Sequence, residues 1–321
     1  MAILFGRGSF AKLAPEASYA STGAYKTNAI RIIDASLQTT QQRDGRSHLT
    51  TSDGAIRTGF FDVFKESGGS ITVPVYFEGS TLLLKAMVGS IATTGGPTNF
   101  THKLQSSTTD LDSFTLGLSR GSDANGYEVF SGCMVSSGTL SLNAGEEMQL
   151  SLDLIAQDSA ARTTKPTPTY NASQKQIYHY EVTTDLTYNS QSYKVRSFEL
   201  TVENSLERRN VLGSKLTLSP DVTDYRTVTI SVELDAETNA LYNAMLAGTE
   251  SSVELKVTET SGTNYMEIKL KNAIITDYSD PLSTVGRLSQ SVTFTGLASS
   301  TAEALQIEIQ NTLDAANALN T

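Results

Sequence analysis

The chain has 321 residues, of which 39% are apolar and 18% are charged, so it is long enough for two globular domains that each bury a core. Its formal net charge of −10 argues against a protein that grips the phosphate backbone of nucleic acids, because that affinity comes from Lys and Arg. The single cysteine, Cys133, excludes an intrachain disulfide, and about a quarter of the residues are Ser or Thr, above average composition.

The chain begins with a segment rich in Gly, Ala and Ser, residues 1–27, which shows little periodicity and is predicted to be an extended arm. It lacks the basic-then-apolar pattern of a signal peptide. The longest apolar stretch, residues 81–92, contains a lysine and is too short to span a bilayer. We therefore expect a protein that is soluble and intracellular at synthesis.

The first half is predicted to be mainly β structure. Strands are expected at 30–37, 59–64 and 71–77, and the third alternates apolar and polar residues with period two. A short helix follows at 80–88 and ends at Gly89, a residue suited to the left-handed position after a helix. Turn residues then separate further strands, expected near 101–105, 112–119, 127–136, 138–143 and 147–156.

The second half repeats this order of elements. A polar segment that contains two prolines, residues 163–170, is predicted to be a linker. Beyond it come a strand, a long polar loop, a strand and a helix capped by Asp235, at 193–202, 203–224, 228–234 and 236–247. Further strands are expected near 252–258, 264–278 and 287–297. We interpret this as a duplicated domain; a chance likeness of two β-rich domains is the alternative.

The last segment, residues 300–321, is predicted to be a C-terminal helix. Ser300 and Glu303 fit a capping box, and Leu305, Ile309 and Leu313 recur at helical spacing. A helix this short must dock on its own chain or on a neighbour. The predicted organisation is an arm, a first domain, a linker, a second domain and a tail, at 1–27, 28–162, 163–170, 171–299 and 300–321.

No pattern in the sequence is typical of catalysis or of a cofactor. Residues 117–121 match the nucleophile elbow of hydrolases around Ser119, but turn residues and a strand follow them where the elbow needs a helix. Residues 6–11 lack the strand and helix of a dinucleotide site, and residues 123–126 lack the downstream Glu of a calcium loop. No second metal ligand lies at usable spacing from His48, His102 or His179. We expect no cofactor and no metal.

Two segments carry a resemblance to a known family. They read Ser70-Ile-Thr-Val-Pro-Val-Tyr-Phe-Glu-Gly-Ser-Thr-Leu-Leu-Leu-Lys-Ala-Met-Val-Gly-Ser90 and Tyr127-Glu-Val-Phe-Ser-Gly-Cys-Met-Val-Ser-Ser-Gly-Thr-Leu-Ser-Leu-Asn-Ala-Gly-Glu146. Together with the order of strands over residues 28–298, they resemble the major tail tube proteins of long-tailed bacteriophages, in particular those with two fused tube domains. The resemblance implies two tandem β-sandwich or barrel domains, each with one flanking helix.

The resemblance also implies a role. It implies a non-enzymatic virion protein, assembled in the host cytoplasm, whose homotrimers have pseudo-sixfold symmetry and stack as rings into the tail tube. Double-stranded DNA would pass through without specific binding, and no membrane would be involved. The implied partners are other copies of the chain, the tape measure protein, the tail terminator and the baseplate or tip proteins.

The two long polar loops, 38–56 and 203–224, are predicted to lie at ring–ring contacts; a solvated loop is the alternative. Their charged residues are Arg43, Arg46, Glu207, Arg208 and Arg209.

Other functions stay open at this point. Carboxylates are plentiful, so a glycosidase stays open, as does a β-sandwich that binds sugars. A surface or adhesin-like protein with tandem β-sandwiches would need export. The tube subunit of a tailocin or of a secretion apparatus is a close variant of the tail tube. A hydrolase would use Ser119 and would react with a serine-directed probe.

Overall fold

The computed structural model describes residues 6–21, 23–45, 59–96, 99–106, 111–170, 176–236, 238–260, 262–280, 288–298 and 304–313. Strands make up 61% and helices 6%, which confirms the predicted mainly β class. Neither helix among the described residues is long and apolar enough to cross a membrane.

The first half runs through antiparallel strands and one helix. In chain order these are β1 (Phe10–Pro15), β2 (Asp34–Ala35), β3 (Gln38–Gly45), β4 (Phe60–Pro74), α1 (Thr81–Val88), β5 (Gly89–Gly96), β6 (Asn99–Ser106), β7 (Phe114–Ser119), β8 (Tyr127–Asn143), β9 (Gln149–Ala156) and β10 (Asp158–Ser159). The helix predicted at 80–88 is confirmed, with Ser80 as its N-cap residue.

The second half has the same character. Its elements are β11 (Val182–Tyr188), β12 (Gln191–Glu203), β13 (Leu206–Arg209), β14 (Leu218–Val222), β15 (Thr227–Asp235), α2 (Ala240–Ala247), β16 (Ser251–Glu259), β17 (Tyr265–Ser279), β18 (Ser289–Gly296) and β19 (Leu305–Asn311).

One antiparallel sheet, called the shared sheet below, runs through both halves. Its order is β3, β4, β9, β8, β12, β15, β18, β17, with β2 beside β3 on the same edge of β4. The halves meet where residues 137–143 of β8 pair with residues 197–203 of β12. Each half contributes four strands in the same relative order, as a duplication predicts; the domain boundaries stay a prediction.

The second half also closes into a barrel. Its strands follow the order β12, β15, β18, β17, β16, β11 and return to β12. Bulges at Val195/Ser197 and Ile275/Asp277 let the long strands β12 and β17 bend from one layer to the other. The first residue of β16, Ser251, lies opposite Ala273. The residues of β17 after Ala273 therefore have no strand partner on that edge within the described chain.

The predicted C-terminal helix is wrong for residues 305–311, which form strand β19 between β17 and β6. The helical interpretation used Leu305 and Ile309 but ignored Ile307, and these three residues alternate with polar ones at period two. All three are buried, because the gap between the two halves accepts a strand with one apolar face. The predicted capping residues 300 and 303, and residues 314–321, lie outside the described residues.

The N-terminal segment is not an extended arm over its described length. Phe10–Pro15 forms β1, which pairs with β7, and Phe10 and Leu13 are buried. The short Phe-Ala-Lys-Leu-Ala run packs because a neighbouring strand supplies the hydrogen bonds. The predicted linker lies along the first half, where Thr163 bonds with Tyr127 and the carbonyl of Thr169 accepts from the amide of Ala29.

The helix predicted at 236–247 begins four residues later, at Ala240. Asp235 is not its cap, because it still belongs to β15, opposite Ser289, and its carboxylate pairs with Arg196 at 2.6 Å. The cap position is held by Asn239. The strand pairing and the ion pair of Asp235 thus take precedence over the local capping preference of Asp.

The two predicted polar loops are β hairpins over their described parts. Residues 38–45 pair with residues 60–68 and form a protruding arm, the β3–β4 arm. Residues 206–209 pair with residues 218–222 and form the β13–β14 hairpin. Strand β4 continues through the base of the arm because Gly68 and Gly69 adopt φ of 155° and 136° and a Cβ at either would lie within 3 Å of a backbone carbonyl.

Candidate assembly surface

The buried face of the shared sheet is a row of apolar side chains that crosses the joint between the halves without a break. Residues directly opposite one another along this row are Val73, Leu150, Leu140, Leu200, Ile230, Phe294 and Ile275. All seven are buried. The β8–β12 joint therefore has the packing of a sheet interior, so the two halves are joined as neighbouring strands rather than as separate bodies.

The opposite face of the shared sheet is covered mainly by the hydroxyl groups of Ser and Thr. Its middle row consists of Asp34, Thr72, Ser151, Thr139, Thr201, Thr229, Thr295 and Ile274. Neighbouring hydroxyls bond across the strands, with Oγ1–Oγ distances of 3.1 Å between Thr72 and Ser151 and 3.0 Å between Thr293 and Ser231. This face satisfies many of its polar groups from within the sheet.

The charged residues in the paired segments of these strands are acidic, although Arg196, in the bulge of β12, pairs with Glu233 and Asp235. The segments 34–35, 67–74, 137–143, 149–156, 197–203, 227–235, 273–279 and 289–296 contain no Lys, Arg or His. They contain seven carboxylates, which are Asp34, Asp153, Glu199, Glu203, Glu233, Asp235 and Asp277. Because carboxylates outnumber cations on these segments, the surface repels a polyanion more than it attracts one.

The β3–β4 arm and the β13–β14 hairpin lie against each other and are called the hairpin pair below. The amide of Lys65 donates to the carbonyl of Lys215 at 2.9 Å. The Asp62 carboxylate accepts from Lys215 Nζ at 2.7 Å and from Arg43 Nε at 3.0 Å. These two cations, Lys215 first, hold the pKa of Asp62 below its usual value. The two loops that the sequence placed at ring contacts thus form one surface.

The predicted contact residues occupy different environments on this surface. Arg43 pairs with Asp62 and is 64% exposed, and Arg209 pairs with exposed Asp221 at 2.9 Å. Glu207 is exposed on β13. Arg208 is half-buried and donates to the carbonyl oxygens of Ala156, at 3.2 Å, and of Ser67. It therefore ties the two halves of one chain together. Arg46 lies outside the described residues, and the placement of all five at ring contacts stays a prediction.

The sequence analysis missed the apolar side chains that the hairpin pair exposes. Their exposed fractions are 104% for Leu212, 91% for Tyr225, 65% for Phe60 and 52% for Val222. Several large exposed apolar side chains on one structural feature are more typical of a contact site than of a solvated loop. The signal in the sequence was the Val211-Leu212 pair inside an otherwise polar stretch.

The joint between the halves also fixes helix α1. Asn204, which is 1% exposed, donates through Nδ2 to the carbonyls of Met87 and Val135 at 3.1 and 2.9 Å. Arg226 donates to the carbonyl of Val88 at 2.9 Å. Helices end with carbonyls that lack an intrahelical donor. In α1, side chains of the second half supply donors for two of them.

The residues that were considered as candidates for catalysis or metal binding lie in environments typical of structural residues. Ser119 is buried at the end of β7, where Gly121 turns the chain towards β8, as predicted, and not into a helix. It lines an open pocket of about 520 Å³ whose lining residues include no histidine. His102 is buried between Thr93 Oγ1 at 2.9 Å and Asn311 Oδ1 at 3.1 Å and holds β19 in place. No cluster of potential metal ligands occurs in the described part of the chain.

Comparison with known proteins identifies the family. The family model for the phage tail tube protein matches residues 6–296, which is most of the chain. A search of curated proteins finds no match. The family is structural and self-assembling, and its members are components of the virion tail. The chain belongs to the phage tail tube protein family.

Proposed function

We propose that three copies of this chain close into a ring of six four-stranded units, and that stacked rings form the conduit through which double-stranded DNA leaves the virion. The observation that carries this is the unbroken pairing across the β8–β12 joint. Within one chain, the outer strand of one unit already pairs with the first strand of the next. The same joint made between chains closes the ring, since head-to-tail contacts of this kind form rings when the rotation closes.

Two edges of the shared sheet that have no strand partner among the described residues support this proposal. The apolar row continues beyond Val73 to Ile33, which is 45% exposed, and ends at the other side with Ile275. In the joint within the chain, Leu140 faces Leu200. The repeated strand order makes Ile275 the counterpart of Leu140 and Ile33 the counterpart of Leu200. Edge strands that pair with another copy lose their unpaired backbone groups.

The acidic, hydroxyl-rich face of the shared sheet lines the conduit in this proposal. Each chain contributes seven carboxylates and no cation from the paired segments listed above. DNA would slide past it because the net charge of this face is negative and few counterions would be displaced by protein cations. The hairpin pair, with Arg43, Arg46, Glu207, Arg208 and Arg209 and its exposed apolar residues, would contact the next ring.

Mass photometry and negative-stain microscopy of the purified chain test the proposal. We expect a species of three chains, and open-ended tubes when the protein is concentrated. An Ile33→Asp variant should keep the fold and remain a single chain, because it places a charge in the apolar row at the joint. A wild-type protein that remains a single chain at high concentration, without tubes, would refute the proposal.

A further inference from the structure

The two helices occupy matching positions in the two halves but differ in how they are covered. Seven of the eight residues of α1 are buried. In α2 only Leu241 is buried. Because both helices follow the second strand of their four-stranded unit, β4 or β15, and precede the same kind of hairpin, the difference comes from what packs on their outer faces.

The exposed face of α2 has the composition of a contact surface. Its sequence, Ala-Leu-Tyr-Asn-Ala-Met-Leu-Ala, contains no charged residue. Tyr242 is 42% exposed and Leu246 is 65% exposed. A solvated helix normally carries charged residues on its outer face, whereas the centres of protein interfaces are depleted of charge.

The residues that pack on the outer side of α1 indicate what kind of contact the outer face of α2 would accept. One side of α1 lies against its own half, where Lys85 pairs with Asp112 at 2.5 Å. Its C-terminal end is covered by Asn204 and Arg226, which reach it through the β8–β12 joint. The corresponding edge beside α2 is the free edge of β17, whose Tyr278 packs on Tyr242 with ring centroids 5.6 Å apart. Among the residues that the structure describes, the exposed face of α2 and the unpaired edge of β17 are therefore continuous.

We propose that the outer face of α2 is an interface, and that its occupant is the base of the β3–β4 arm of a second copy of this chain. The assignment rests on the ring proposed above. It follows from matching, residue by residue, the strand pairing at the joint within the chain with the strand pairing at the start of the β3–β4 arm. Glu203 faces Thr227 just before Asn204 and Arg226 leave the sheet. At the start of the arm, Ser36 and Ser70 hold the corresponding positions, and the amide of Ser36 donates to the carbonyl of Ser70. Residues 37–38 and 68–69 of the second copy thus take the places of Asn204 and Arg226.

Introduction of a charged residue on the outer face of α2 tests the proposed interface. Leu246→Asp should raise the concentration needed for half-assembly of the ring by about tenfold or more, as expected for a central interface residue. Tyr180→Asp is the matched control, since Tyr180 is 67% exposed on a surface with no proposed role. Mass photometry gives the assembly state, and circular dichroism melting shows that both variants fold. A folded Leu246→Asp chain that forms rings at the wild-type concentration would overturn the inference.

Cross-linking gives a readout that does not depend on weakened assembly. With cysteines placed by Leu246→Cys and Gln38→Cys, a bis-maleimide should produce covalent two- and three-chain products, while either single variant should not. Cys133 does not interfere because it is buried. Double-variant rings that yield no such products would overturn the inference while leaving the tube function intact. If the wild-type chain forms no rings, the tube function itself fails. Rings of Leu246→Asp that do not stack would place α2 between rings and overturn the inference as well.

Discussion

Removal of the Asn204 side chain should loosen the joint between the two halves. Asn204 is 1% exposed, and its Nδ2 group donates to the carbonyls of Met87 and Val135 at 3.1 and 2.9 Å. Asn204→Ala deletes both bonds and leaves two buried carbonyls without these donors. Each bond contributes about 1 kcal/mol and each orphaned carbonyl adds a desolvation cost, so we expect a loss of about 2 to 4 kcal/mol.

A second substitution at the same site sharpens the test. The Oδ1 atom of Asn204 has no hydrogen-bond partner among the described residues. Asn204→Asp keeps the shape, removes the donor and adds a buried charge. It should therefore destabilise the protein more than Asn204→Ala does.

Urea unfolding at a concentration where the chain is not assembled measures both effects. The chain contains no Trp, so far-ultraviolet circular dichroism or Tyr fluorescence is the signal. Asn210→Ala, at an exposed position, is the control and should change the free energy of unfolding by less than about 0.5 kcal/mol. If Asn204→Ala were no more destabilising than this control, the joint would not depend on Asn204 and the reasoning would be refuted.

Other consequences of the structure can be checked in the same way. Arg208→Ala should lower the free energy of unfolding by about 1 to 3 kcal/mol because its donors bind carbonyls of the first half, and Arg209→Ala by less than about 1 kcal/mol because its ion pair is exposed; equal losses would contradict this assignment. Glu199→Lys, with Glu199→Gln as control, should leave tube assembly intact but slow DNA release from assembled particles, most strongly at low salt; unchanged release would place this face outside the conduit. Burial and the Glu308 carboxylate raise the pKa of Tyr265 from 10.0 to about 12. Its contribution to stability is therefore complete below pH 10 and is lost as the pH rises towards 12, so denaturation curves of Tyr265→Phe should depend less on pH in that window, and parallel curves would count against the assignment.

The sequence predicted the strands well where apolar and polar residues alternate, because that pattern is local. The segment from Val228 to Leu234 alternates strictly, and it forms β15. The two helices were also found from local pattern, although α2 begins later because the ion pair of Asp235 extends the strand. The tail was misread because Leu305 and Ile309 fit helical and strand spacing alike, and only the gap between β17 and β6 decides between them.

The joint and the hairpin pair could not be predicted from sequence. Leu140 and Leu200 sit in strands that look like any other alternating strand, so nothing local identifies them as partners. Likewise, Lys215 and Asp62 are far apart in the chain and meet only because the two hairpins protrude from the same end of the shared sheet. Long-range pairing of this kind is fixed by the packing of whole units rather than by the residues of one segment.

The difference between the two kinds of joint has a physical rationale if the ring closes as proposed. Half of its joints lie within chains, where the covalent connection supplies a high effective concentration of one unit near the next. Such a joint tolerates polar side chains such as the buried Asn204 and the half-buried Arg226, which fix register and are already held in place. A joint between chains must instead overcome the entropy of bringing separate molecules together. The exposed Ile33, Tyr242 and Leu246 beside the free edges can supply that free energy by burial of apolar surface. A two-unit chain that has to assemble further therefore needs polar contacts at the joint within the chain. It needs apolar surface at its open edges.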